Sequence, residues 1–140
     1  MRSGTEDDVE RALNTLLGEL APGRYQCRVR KGAGDSAIGK PADLEIVSKV
    51  VPATVAVAVE VANVNTTQLV GEACRLYYDA CPRKLLVLGD RNVPADGKRQ
   101  CEALLAKLYG QDSIQNTPAR VVWYDDDEDI AKALADLLLV

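Results

Sequence analysis

Hydrophobic positions along this chain change their spacing several times, and each change marks an element. Val9, Leu13, Leu16, Leu17 and Leu20 recur at helical spacing. Thr5 stands ahead of them as a cap, with Asp8 three residues on and acids in the first turn; Ala21-Pro22-Gly23 ends the helix. Glu10 falls at the margin of the buried stripe. Tyr25 to Lys31 alternates and reads as a strand, followed by a glycine-containing loop or hairpin turn from Gly32 to Pro41. Asp43 to Val50 and Val55 to Val64 read as the second and third strands. In the third, Val57, Val59 and Val61 point one way, while Ala58, Glu60 and Ala62 point the other.

Thr66 or Thr67 can cap a helix that runs through Tyr78. Lys84 to Leu88 reads as a short apolar strand, ended by Gly89-Asp90-Arg91-Asn92. A helix is predicted from about Ala95 to Tyr109, a strand over Arg120–Tyr124, and a last helix opening at Asp127. The order is α-β-β-β-α-β and then α-β-α. Early adjacent strands imply antiparallel hairpins, and late strands alternating with helices imply parallel pairing. The expected class is α/β, a mixed central sheet flanked by helices on both faces. Without repeats, low-complexity runs or a linker, residues 1–140 are expected to form a single domain.

Composition narrows the chemistry. The chain has 140 residues, 47% hydrophobic and 27% charged, as expected of a soluble globular protein. No run of about 18 apolar residues is present, so no membrane span is expected. The N-terminus leads into acids rather than an apolar stretch, so no signal peptide is expected and a cytoplasmic location is. Histidine is absent, which excludes Ser-His and Cys-His catalysis and histidine-ligated zinc. The four cysteines, Cys27, Cys74, Cys81 and Cys101, fit no zinc spacing and read as reduced thiols. The net charge of −4 argues against tight non-specific DNA binding. Arg24, Arg28, Arg30, Lys31 and Lys40 nevertheless cluster as a local basic patch.

Candidate chemistry centres on two acids. Asp43 opens one strand and Glu60 interrupts Val-Ala-Val-Glu-Val-Ala on the next. A buried unpaired carboxylate is costly, so Glu60 calls for a metal, a cation partner or an open edge. Phosphodiester hydrolysis needs a hard cation to activate water and neutralise developing charge, and magnesium often uses only one or two carboxylates. Adjacent strands can deliver Asp43 and Glu60 to one point, and the Val61 carbonyl can add a third ligand. A lysine two residues after Glu60 would share its face and orient the attacking hydroxide. Position 62 holds alanine instead.

The strand Ala42-Asp43-Leu44-Glu45-Ile46, the strand Val57 to Ala62 and the αβββαβ order together resemble the PD-(D/E)XK restriction-endonuclease-like superfamily. The loop Gly32 to Pro41 resembles the glycine-rich approach to the first acid in archaeal junction resolvases of that superfamily. The similarity covers roughly the first 90 residues, with the last α-β-α as an extension. It implies a metal-dependent DNA endonuclease holding Mg²⁺ or Mn²⁺ through Asp43, Glu60 and the Val61 carbonyl, with Glu10 as a third acid. Gln68 and Glu72 match the polar helix face that some members place beside the site. Arg28, Arg30, Lys31, Ser36, Lys40 and Gln68 would meet the nucleic acid. The chain departs from the pattern in three ways. Ala42 separates Pro41 from Asp43, Ala62 replaces the lysine, and Glu72 stands where the RecB-like subgroup has tyrosine.

Three accounts of Ala62 remain open. It is an introduced inactivating change, a natural loss that leaves a binding domain, or a site where another cation (Lys49, Lys40 or Arg75) supplies the charge. The chain as it stands is expected to be slow or inactive, because nothing at position 62 positions the nucleophile. The alternative to a nuclease is a catalytically silent module on the same fold that binds DNA or a protein, with a homodimer as one form. Gly34 to Lys40 fits the start of a P-loop, but Pro41 takes the Ser/Thr position and leads into a strand, so no nucleotide cofactor is expected. The run Asp125 to Asp129 is explained by helix capping.

Overall fold

The computed structural model describes residues 5–30, 43–50, 54–64, 66–89 and 92–139. Among them lie four α-helices and one five-stranded mixed sheet in the strand order β1-β2-β3-β4-β5. The elements follow the expected order: α1 (Glu6–Leu20), β1 (Tyr25–Val29), β2 (Leu44–Ser48), β3 (Val55–Ala62), α2 (Thr66–Tyr77), β4 (Lys84–Leu88), α3 (Gly97–Leu108), β5 (Ala119–Trp123) and α4 (Asp127–Leu138), with a 3-10 turn at Ile114–Asn116. β1–β2 and β2–β3 pair antiparallel, while β3–β4 and β4–β5 pair parallel. No helix of the described residues is long and apolar enough to cross a membrane.

Strand alternation divides the core into two. Val57 and Val59 join Leu44, Ile46, Leu85 and Val87 beneath α1 and α4. Ala58 and Ala62 join Leu86, Leu88 and Val121 beneath α2 and α3. This second face also carries Glu60, and its two neighbouring alanines leave room for it.

Several element ends follow from local chemistry. The Thr5 hydroxyl accepts from the Asp8 amide at 3.3 Å and caps α1. Asp126 caps α4 by accepting from the Asp129 amide at 3.0 Å, and the helix opens at Asp127 as expected. The acids behind it fall in the first turn, where they complement the helix dipole. Thr66 and Thr67 lie inside α2 rather than capping it, because the helix begins one residue early; position 65 lies outside the described residues. α3 starts at Gly97, since a turn closes from Pro94 O to Gly97 N at 2.9 Å. The expected loop from Gly32 to Pro41, including Ser36, lies outside the described residues, as do Lys31 and Lys40.

Both outer strands are closed by side chains. On β1, the Asn14 amide donates to Cys27 O at 2.9 Å and accepts from Cys27 N at 2.8 Å. On β5, the Thr117 hydroxyl accepts from Ala119 N at 3.1 Å, and Arg120 donates to Ala119 O at 2.7 Å. A further strand would have to displace these groups first.

Candidate functional site

The register of the sheet builds a polar layer under α2. Arg28, Glu45, Ala58 and Lys84 stand in one cross-strand row. Leu44 pairs with Val59, so the next step places Asp43 opposite Glu60, and Glu60 pairs onward with Leu86. Val61 lies two positions beyond Val59, the last β3 residue paired with β2 among the described residues. Its N–H donates to Asp43 Oδ2 at 3.1 Å. A strand residue directs its N–H and C=O to the same side, so the Val61 carbonyl also faces the Asp43 edge.

α2 lays a matching stripe over this layer. Gln68, Glu72 and Arg75 recur at helical spacing with Asp79 just past the helix end, while Leu69, Ala73 and Leu76 form the adjoining apolar stripe. Glu72 pairs with Arg75 one turn on, and Asp79 pairs with Arg30. Arg30 also lies 3.8 Å from Glu45, which accepts from Arg28 Nε at 2.9 Å. These ion pairs tie the edge strand to the far end of α2.

Glu60 is the electrostatic anomaly of the layer. Only 4% of it is exposed. Burial pushes its carboxyl up to about 10, helped by a hydrogen bond to Asp43 and by the charges of Asp43 and Glu72; Arg75 pulls the other way. At neutral pH Glu60 therefore carries a proton that it donates to Asp43. Elsewhere in the layer Arg28 and Arg30 meet Glu45, Arg30 meets Asp79 and Arg75 meets Glu72.

This donor set fits a hard divalent cation. It consists of oxygen atoms only, and a buried carboxyl that must otherwise keep a proton would gain a counter-charge. Among the described residues no three acid, cysteine or histidine side chains gather as a complete shell. A cation here would accordingly rest on Asp43, Glu60, the Val61 carbonyl and water.

The other expected site residues fall in different places. Glu10 is half-buried on α1, whose apolar side packs on the Val57–Val59 face. Its charge acts on Cys27, whose thiol burial pushes up to about 12, and it lines an open surface groove with Asp7, Arg11, Asn14 and Thr15. The structure gathers Glu72 and Arg75 about Glu60, not Glu10. Ala62 is buried at 1% in the apolar cluster with Leu69, Ala73 and Leu88. Arg30 is committed to its ion pairs, with 17% of its side chain exposed, whereas Arg28 keeps 43% open to solvent. Gln68 is exposed in the first turn of α2. Of the alternatives for the missing charge, Lys49 follows the far end of β2 from Asp43, its amide bonded to Arg24 O at 2.8 Å. Among the described residues, Arg75 is the one of these whose charge acts on Glu60.

Three participants of the polar layer escape sequence inspection: Glu45, Asp79 and Lys84. Glu45 carried a signal, since it shares the face of Asp43 two residues earlier. Lys84 opens the strand read as apolar, yet it is only 4% exposed. Its ammonium donates to Tyr77 O and sits 5.3 and 5.6 Å from the Tyr77 and Tyr109 ring centres. Burial lowers its pKa. All four cysteines are free thiols.

Compared with known proteins, the chain matches no protein-family model and no curated protein.

Proposed function

We propose that this chain carries a PD-(D/E)XK-type site for metal-dependent phosphodiester hydrolysis, with DNA as the substrate. The observation that carries this is the cross-strand pair Asp43–Glu60, whose buried member is held toward its protonated form beside Asp43. Asp43, Glu60 and the Val61 carbonyl would hold Mg²⁺ or Mn²⁺, which supplies a polarised water and charge neutralisation on the phosphate. In hydrolysis the water oxygen forms a new bond to phosphorus, the ester P–O bond breaks, and the proton from water ends on the leaving alkoxide. Asp43 is held for this by the Val61 N–H, and Glu60 by the strand on either side. Arg28, half-open at the edge of the layer, would meet a backbone phosphate.

A second function has two observations in its favour. Ala62 is sealed in apolar packing, and the arginines of the layer are largely neutralised by Glu45, Glu72 and Asp79. A catalytically silent DNA- or protein-binding domain would tolerate both features.

Cleavage assays separate the two. The chain and its Ala62→Lys variant are incubated with duplex, flap, junction and single-stranded DNA in Mg²⁺ and in Mn²⁺. Cleavage by either protein that Glu60→Ala abolishes supports the nuclease. Folded protein that binds DNA and leaves it intact in every case supports the silent domain.

A further inference from the structure

We infer that Tyr78 and the arginines beside it form a binding surface for single-stranded nucleic acid, the tyrosine ring stacking a base and the arginines meeting phosphates. This role is one of binding and stands whether or not the chain cleaves what it holds. Tyr78 follows the last turn of α2, its amide still bonded to Cys74 O at 3.2 Å. Its side chain is 71% exposed, and it is the one aromatic residue open to solvent among the described residues. The ring is nevertheless held. It meets the Tyr77 ring edge-on at 4.9 Å and 81°, and Tyr77 meets Tyr109 in the same way at 4.8 Å and 73°. Tyr77 and Tyr109 are themselves packed on the apolar cluster beneath α2 and α3. A ring fixed from behind has little freedom left to lose when a base stacks on it.

The charges around Tyr78 are sorted by depth. Arg75 stands one helical turn before it, and Asp79, the next residue, pairs with Arg30. Arg30 and Arg28 share Glu45. In each ion pair the cation is the outer member. Arg28 is 43% exposed against 7% for Glu45, Arg75 38% against 17% for Glu72, and Arg30 17% against 4% for Asp79. The pairs are neutral, yet the groups that solvent meets are guanidiniums. Glu45 engages Arg28, and Glu72 engages Arg75, through one nitrogen each, so donors of the guanidinium fork remain for phosphate oxygens. An open ring beside outward guanidiniums matches a strand that offers both an unpaired base and phosphates. A duplex keeps its bases stacked on one another and gives the ring nothing to hold.

Fluorescence anisotropy of a labelled oligo-dT strand tests this, in EDTA and at low salt, beside a duplex and an abasic strand of the same length. The parent should bind oligo-dT more tightly than either. Tyr78→Ala should bind it about 10-fold more weakly, the usual loss of one base–aromatic stack, with the melting temperature unchanged. Tyr78→Phe keeps the ring and should bind as the parent does. The abasic strand carries the phosphates without the bases, and Tyr78→Ala should leave its binding unaltered. Arg28→Gln and Arg75→Gln should each flatten the salt dependence of oligo-dT binding, by about 0.7 in log K per log salt, whereas Tyr78→Ala should not. A strand carrying 5-iodouracil should photocrosslink at Tyr78. Oligo-dT held by Tyr78→Ala as tightly as by the parent would overturn this role. So would an abasic strand or a duplex bound as tightly as oligo-dT, or a folded parent that binds no strand. Metal binding by Asp43 and Glu60 is untouched by any of these results, so hydrolysis stands or falls separately.

Discussion

Glu60 stands opposite Asp43 across the β2–β3 ladder, and its carboxyl donates a hydrogen bond to the Asp43 carboxylate. This pair links stability to pH. The folded-state pKa of Glu60, about 10, lies above its ordinary value of 4.5. The folded protein therefore binds a proton that the unfolded chain releases above pH ~4.5. The contribution of this group is intact below that pH and is lost progressively as the pH rises toward 10. Glu60→Gln keeps a donor toward Asp43 without the titration. It should stabilise the metal-free protein by up to roughly 3 kcal/mol at pH 7 and by little at pH 5. Thermal unfolding in EDTA at pH 5, 7 and 8 checks this, and an equal effect at each pH would count against the protonated pair.

Asn14 substitutes for a strand at the open edge of β1. Its side chain satisfies both Cys27 N and Cys27 O, at 2.8 and 2.9 Å. Asn14→Ala leaves two backbone groups bare at the edge. A loss of about 1–3 kcal/mol in urea unfolding is expected, together with self-association that grows with concentration in light scattering. Retained stability and a strictly unchanged mass would show that the clamp is dispensable.

Gly89 and Asn63 meet where β3 and β4 end. A Cβ added at Gly89 would stand 1.8 Å from Asn63 Oδ1, and Gly89 is tied by its amide to Ala62 O at 2.8 Å. Gly89→Ala should cost about 1–3 kcal/mol. In an Asn63→Gly background most of that cost should vanish, because the clash is between those two groups. A double-mutant cycle by denaturant unfolding measures the coupling. Additive effects would place the cost elsewhere.

Lys84 tests how the polar layer tolerates a buried charge. Its stem is packed and its ammonium lies beside two tyrosine rings. Lys84→Met keeps the volume and removes the desolvated charge, so its stability should stay within about 1 kcal/mol of the parent. Lys84→Ala removes the stem as well and should cost about 2–4 kcal/mol. Urea unfolding of both variants settles the order, and equal losses would show that the charge itself is the stabilising part.

The architecture was readable because its signals are local. The period-two run in β3 assigns Val57 and Val59 to one face and Ala58, Glu60 and Ala62 to the other without tertiary information. Thr5 announces α1 in the same way. The polar layer was only half readable, since its pairings join distant segments. Arg30 and Asp79 are 49 positions apart, and nothing local indicates that they meet. Helix periodicity places Glu10 at a buried margin but does not say which face of the sheet its helix covers. Thr66 and Thr67 were read as caps because residue type permits it, yet Thr66 is already the first residue of the helix. Lys84 was masked by the apolar run it begins, and the two tyrosines that shelter it come from α2 and the end of α3.

Manganese binding tests the central claim most directly, because it depends on Asp43 and Glu60 whether or not the chain cleaves anything. Isothermal titration at pH 8, with electron paramagnetic resonance to count the bound ion, is applied to the chain, Asp43→Asn and Glu60→Gln. The account predicts one Mn²⁺ bound by the parent and at least a ~10-fold weaker site in each variant. A parent that binds no Mn²⁺, or variants that bind it as the parent does, would contradict it.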